Sequence, residues 1–119
     1  MAERTFAMSN ISARTAEVHN VTPDELARGL RDHAMLLVDV RESKETMIER
    51  FPGAVIVPLS TFEPAQIPDP GGKQVVFACH SGKRSVTASL IAQDRGYRYD
   101  SHLAGGILAW KAAGLPTES

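Results

Sequence analysis

The segment Cys79-His80-Ser81-Gly82-Lys83-Arg84-Ser85 brings the chain's one cysteine together with a glycine and two cations. It lies between the apolar run Gln74–Ala78 and a stretch whose apolar residues recur at helical spacing. A tight loop running into a helix turns several backbone N–H groups toward one point, and the helix dipole adds partial positive charge there. Gly82 allows the backbone turn that such a cradle needs. Cations at a helix N-terminus oppose the dipole, so Lys83 and Arg84 make best sense around an anion. These features together favour a thiolate at Cys79, a nucleophile ready near neutral pH. The plainer alternative is a small buried hydrophobe at a strand end, followed by a solvated helix start.

A cysteine in an anion cradle allows two chemistries. Cysteine-dependent phosphatases use Cys-x-x-x-x-x-Arg, a loop wide enough for a tetrahedral phosphate. Here only four residues separate Cys79 from Arg84, and a smaller ring of N–H groups suits a smaller guest, such as the terminal sulfur of a persulfide. The candidate site is therefore Cys79 as nucleophile, with His80, Ser81, Gly82, Lys83 and Arg84 forming the binding loop. His80 either tunes the site's charge with pH or faces solvent, and the second reading is favoured.

The loop must be carried by alternating strands and helices. Thr22-Pro23-Asp24-Glu25 has the form of a capping box with proline at the first helical position, and places the start of order at Thr22. Met35–Val40, Ala54–Val57 and Gln74–Ala78 read as buried strands, and Ser101–Leu103 as a weaker one. Ser43–Arg50 reads as a short helix, Ser60–Glu63 as a brief one, and Pro64–Gly72 as a loop. A further helix runs from Arg84 or Ser85 to Arg95, and a last one follows Gly105-Gly106 and ends at Gly114. This order predicts an α/β fold, a small mostly parallel sheet with helices on both faces. Ligands of such sheets bind at the carboxyl ends of the strands, where the cysteine loop begins. Arg41 either reaches the mouth of the site or joins Asp39 in a structural ion pair or cap, the second reading being favoured, and Trp110 reads as core.

With 119 residues the chain suits one domain, placed at 20–119 behind a polar extension at 1–19. A net charge of -1 provides no basic field for nucleic acid. The four histidines show no ligand spacing, so no metal is expected. A lone cysteine, no apolar run of membrane length and no secretory leader make the cytoplasm the expected location.

Beyond the loop, Leu37-Val38-Asp39-Val40-Arg41-Glu42, Phe51-Pro52-Gly53-Ala54 running into Val57-Pro58, and Leu103-Ala104-Gly105-Gly106 through Trp110 to Gly114-Leu115-Pro116 stand in a fixed order. With Cys79–Ser85 they resemble the motifs of the rhodanese family, from about residue 20 to residue 116. One departure is Glu49-Arg50-Phe51, where the family often has Gly-His-Ile. The resemblance implies a sulfurtransferase: Cys79 takes sulfur from a donor such as thiosulfate and yields it to cyanide or a thiol, small or protein-borne. It implies no cofactor and leaves the oligomeric state open. The competing readings are a non-catalytic sulfur carrier or interaction module, and a phosphatase or arsenate reductase, against which the short loop argues.

Overall fold

The computed structural model describes residues 17–119. The expected extension at 1–19 lies outside the described residues as far as residue 16. The elements are β1 (His19–Val21), α1 (Pro23–Arg31), β2 (Met35–Asp39), α2 (Ser43–Thr46), β3 (Val55–Ile56), β4 (Gln74–Ala78), α3 (Lys83–Asp94), β5 (Ser101–Leu103) and α4 (Gly106–Ala112). The strands form one parallel sheet in the order β1-β5-β4-β2-β3. The strand that leads into the cysteine loop is thus central. Register sets Phe77 beside both Val38 and His102, which brings the carboxyl ends of β2, β4 and β5 to one edge.

Alternation along β4 divides the core between the two faces of the sheet. Val75, Phe77 and Cys79 pack with Val38, Val40, and Ala88 and Ala92 of α3. Val76 and Ala78 point the other way, into Leu26 of α1, Leu37, Leu103, and Ile107 and Trp110 of α4. Helices therefore cover both faces, and fully buried side chains such as Phe77 each contribute about 1.5–3 kcal/mol. The Trp110 ring meets Phe51 edge-on at 5.5 Å, and its indole N–H donates to the Pro116 carbonyl at 2.8 Å. That leaves no polar group of the indole unsatisfied. At the start of α1 the capping box forms: Thr22 Oγ1 accepts from the Glu25 N–H, and Glu25 Oε1 from the Thr22 N–H.

Some boundaries differ from the sequence reading. Order begins earlier than Thr22, because His19–Val21 joins the sheet edge beside β5. Only Val21 of this strand is buried, so backbone pairing holds it and no apolar pattern reveals it. The helix expected over Ser43–Arg50 stops at Thr46. Met47 and Ile48, just beyond it, are 77% and 74% exposed, so no apolar burial rewards a longer helix. The strand expected over Ala54–Val57 pairs only at Val55–Ile56. In place of a brief helix at Ser60–Glu63 there are two 3₁₀ turns, Leu59–Thr61 and Pro64–Gln66, the second inside the segment read as loop. Among the described residues no helix is long and apolar enough to cross a membrane.

Candidate active site

Cys79 follows β4 directly, and its side chain is 1% exposed. The loop after it turns back so that Sγ accepts from the Gly82 N–H at 3.1 Å and from the Ser85 N–H at 3.3 Å. The Ser85 hydroxyl lies 3.5 Å from the same sulfur. Gly82 makes the turn at φ +107°, a conformation that a side chain would strain. Its position just before Lys83 also sets the sulfur over the N-terminus of the twelve-residue α3, where the dipole favours negative charge. Burial opposes the thiolate and is the largest single influence on Cys79. The hydrogen bond with the Ser85 hydroxyl and those from the Ser85, Gly82 and Arg84 N–H groups together outweigh it, and the thiol sits below its ordinary value.

The cations of the loop part company. Lys83 is exposed. The Arg84 guanidinium turns to α2, where Nη1 and Nη2 donate to the two carboxylate oxygens of Glu45 at 2.7 and 2.9 Å. This fork-to-fork pair pulls the Glu45 carboxyl down to about 2. Arg84 thus fastens the loop to α2 through its side chain, while its main-chain N–H faces the sulfur. His80 and Ser81 are exposed at the rim.

A second layer supports the loop from α4. The Ile107 and Leu108 N–H groups donate to the carbonyls of Cys79 (2.9 Å) and His80 (3.2 Å). Contact this close requires glycine at position 106, since a Cβ there would collide with those two carbonyl groups. Behind Ser85, its Oγ lies 2.8 Å from Nδ1 of the buried His102, whose Nε2 lies 2.8 Å from Oδ1 of Asn20 on β1. Asp39 and Arg41 form a buried ion pair at 2.8 Å, and Arg41 also donates to the Glu49 carbonyl. They hold the end of β2 to the segment before Phe51 and make no hydrogen bond to the cysteine loop.

The residues singled out from sequence, Cys79 through Arg84, therefore lie together at the end of the central strand. Five others around them were not singled out as site residues: Asn20, Glu45, Ser85, His102 and Gly106. Ser85 adjoined the motif, and Gly105-Gly106 marked a helix start. Nothing in the local sequence tied Asn20, Glu45 or His102 to the cysteine.

A family model for the rhodanese-like domain matches residues 22–113. Over 97 residues the chain is 41% identical to the uncharacterized protein slr1261 of Synechocystis sp., covering 82% of this chain and 54% of that protein, so it spans about half the length of that relative. It is 33% identical over 100 residues to a protein of Allochromatium vinosum named sulfurtransferase, covering 83% and 94% of the two chains. The solved structure of a rhodanese-like domain protein from Staphylococcus aureus superposes with a TM-score of 0.69 at 28% identity, over 86% of this chain and 100% of that one. With β2 to β5, α1 to α4 and the Cys79–Ser85 loop all inside the matched range, the chain belongs to the rhodanese-like family.

Proposed function

We propose that this protein is a sulfurtransferase that carries sulfane sulfur on Cys79 as a persulfide. The observation that carries this reading is the setting of Sγ, with N–H groups of Gly82 and Ser85 converging on it at the N-terminus of α3. The relative named sulfurtransferase agrees with it. In the first displacement the Cys79 thiolate attacks the outer sulfur of thiosulfate. The new Cys–S–S bond forms as the sulfur–sulfur bond of the donor breaks, and sulfite leaves with the electron pair. In the second, cyanide or a thiolate attacks the outer sulfur and Cys79 departs as the thiolate. The cradle favours anionic sulfur in each state, so neither step creates charge in an unprepared environment. Lys83, exposed beside the cradle, attracts the anionic donor, with His80 and Ser81 at the rim it crosses.

Intact-mass measurement after incubation with thiosulfate tests this reading. The wild type should gain the mass of one sulfur atom, removable by cyanide with release of thiocyanate. Cys79→Ser should fold and gain nothing. Absence of an adduct from every sulfur donor would overturn the assignment. A stable adduct with poor discharge to small acceptors would mark a carrier that delivers sulfur to a docked protein.

A further inference from the structure

The hydroxyl of Ser85 has one hydrogen and two claimants. Sγ of Cys79 lies 3.5 Å from Oγ on one side, and Nδ1 of His102 lies 2.8 Å away on the other. At the far side of the imidazole, Nε2 faces Oδ1 of Asn20 at 2.8 Å. An amide oxygen only accepts, so Nε2 carries a hydrogen. In the neutral ring Nδ1 is then bare, and it takes the Ser85 hydroxyl hydrogen. Under those conditions the hydroxyl offers the cysteine only a lone pair, which suits an S–H thiol and gives a thiolate nothing. When both ring nitrogens are protonated, Nδ1–H donates to Oγ and the hydroxyl hydrogen is free to donate to the sulfur.

We infer that Ser85, His102 and Asn20 form a proton relay that takes the thiol proton of Cys79 to the His102 imidazole. In the transfer, the Cys79 S–H bond breaks as its proton passes to Ser85 Oγ, while the hydroxyl proton passes to Nδ1. The electron pair of the broken bond stays on sulfur. The start is a neutral thiol and a neutral imidazole; the end is a thiolate and an imidazolium. No proton leaves the protein; the two hydrogen bonds that flank the Ser85 hydroxyl reverse their polarity, and Nε2–H donates to Asn20 Oδ1 throughout. His102 and Asn20 touch no substrate; they are positioning residues that act through Ser85. The proposal rests on Cys79 being the nucleophile and adds the group that receives its proton.

The surroundings of His102 suit the task. The ring is buried at the middle of β5. The groups facing it are Asn20 from β1, Phe77 across from β4, Ser85 from α3 and Gly82 from the loop. Among the described residues no carboxylate, lysine or arginine hydrogen-bonds to the ring. Burial accordingly pushes its basicity down. The imidazolium is therefore favoured only while a thiolate stands beside Ser85, and the two groups titrate as a pair.

Iodoacetamide alkylation of Cys79 against pH tests the relay without any sulfur donor, so its outcome is independent of whether thiosulfate is the substrate. His102→Gln and Ser85→Ala should each slow alkylation at pH 7 about tenfold, moving the profile up by about one pH unit. The double variant should be no slower than either single one, because both cut the same row. Asn20→Asp should move the profile down, since a carboxylate at Nε2 stabilises the imidazolium. Simple repulsion of the thiolate by an added carboxylate would move it up. Should His102→Gln fold poorly, the wild type alone decides through imidazole nitrogen NMR. Capping Cys79 with iodoacetamide should lower the His102 titration by about one pH unit. The proposal fails if alkylation profiles are unchanged in His102→Gln, if the two losses add, if Asn20→Asp moves the profile up, or if capping leaves the His102 titration in place.

Discussion

Replacing Gly106 by alanine should damage the active site from behind, through the backbone alone. Gly106 has φ +62°, and an added Cβ would lie 2.5 Å from the Cys79 carbonyl oxygen and meet the His80 carbonyl as well. These are main-chain atoms and cannot rotate aside. Either α4 recedes or the loop lifts, and in both cases the bonds from Ile107 N–H to Cys79 and from Leu108 N–H to His80 are lost. The left-handed backbone costs a residue with a side chain about 1–2 kcal/mol. The two hydrogen bonds add about 1 kcal/mol each. The sum is about 3–4 kcal/mol, a large part of a small domain's stability. Gly114→Ala isolates the backbone component, because Gly114 has φ +78° and nothing within 4 Å of an added Cβ. It should lose only about 1–2 kcal/mol and keep full sulfur uptake. The assay is urea denaturation of both variants beside sulfur uptake from thiosulfate per folded molecule. Gly106→Ala should fall at least twice as far in stability and should also lose uptake at urea-free concentrations where it remains folded. If the two variants match in stability and uptake, α4 does not position the cysteine loop and the reasoning is wrong.

Acid should weaken the fold partly through Glu45. Its carboxyl is held at about 2, first by the hydrogen bonds from Arg84, against an ordinary 4.5. A folded-state value below the unfolded one contributes stability above the unfolded value, and that stability is lost as pH falls through the folded one. The wild type should therefore lose this contribution between pH 4.5 and about 2, and Glu45→Gln should show a flatter stability–pH curve across that window; parallel curves would remove the pair from the acid response. The unmodified protein should also take sulfur from thiosulfate while leaving aryl phosphates intact, since the N–H groups of the short loop close on one sulfur atom and Arg84 is already held by Glu45. Efficient phosphate hydrolysis without a sulfur adduct would reverse the reading of the loop.

Much of the fold was written locally. Gln74–Ala78 and Ser101–Leu103 are strands at the bounds their apolar and flanking residues suggested, and the Thr22–Glu25 capping box forms where its spacing placed it. Each depends on neighbours within a few residues, which is the range over which burial pattern and capping act. For the same reason the order of chemistry-bearing residues from Cys79 to Ser85, on a loop between strand and helix, is legible in the sequence alone. Local pattern failed where burial or pairing came from elsewhere. The helix expected over Ser43–Arg50 stops at Thr46, with Met47 and Ile48 exposed beyond it, and His19–Val21 has too little apolar character to announce an edge strand. The surroundings of the cysteine were decided by tertiary structure alone. Arg84 finds Glu45 at a separation of 39 residues, Ser85 finds His102 at 17, and His102 finds Asn20 at 82. The parallel register that sets β4 beside β2 and β5, and β5 beside β1, creates these meetings. A parallel pair needs a crossover between its strands, so the residues it aligns are necessarily distant in the chain. Residue types along the sequence marked the candidate nucleophile and its loop; only the packed sheet selected which hydroxyl, imidazole and carboxylate stand around them.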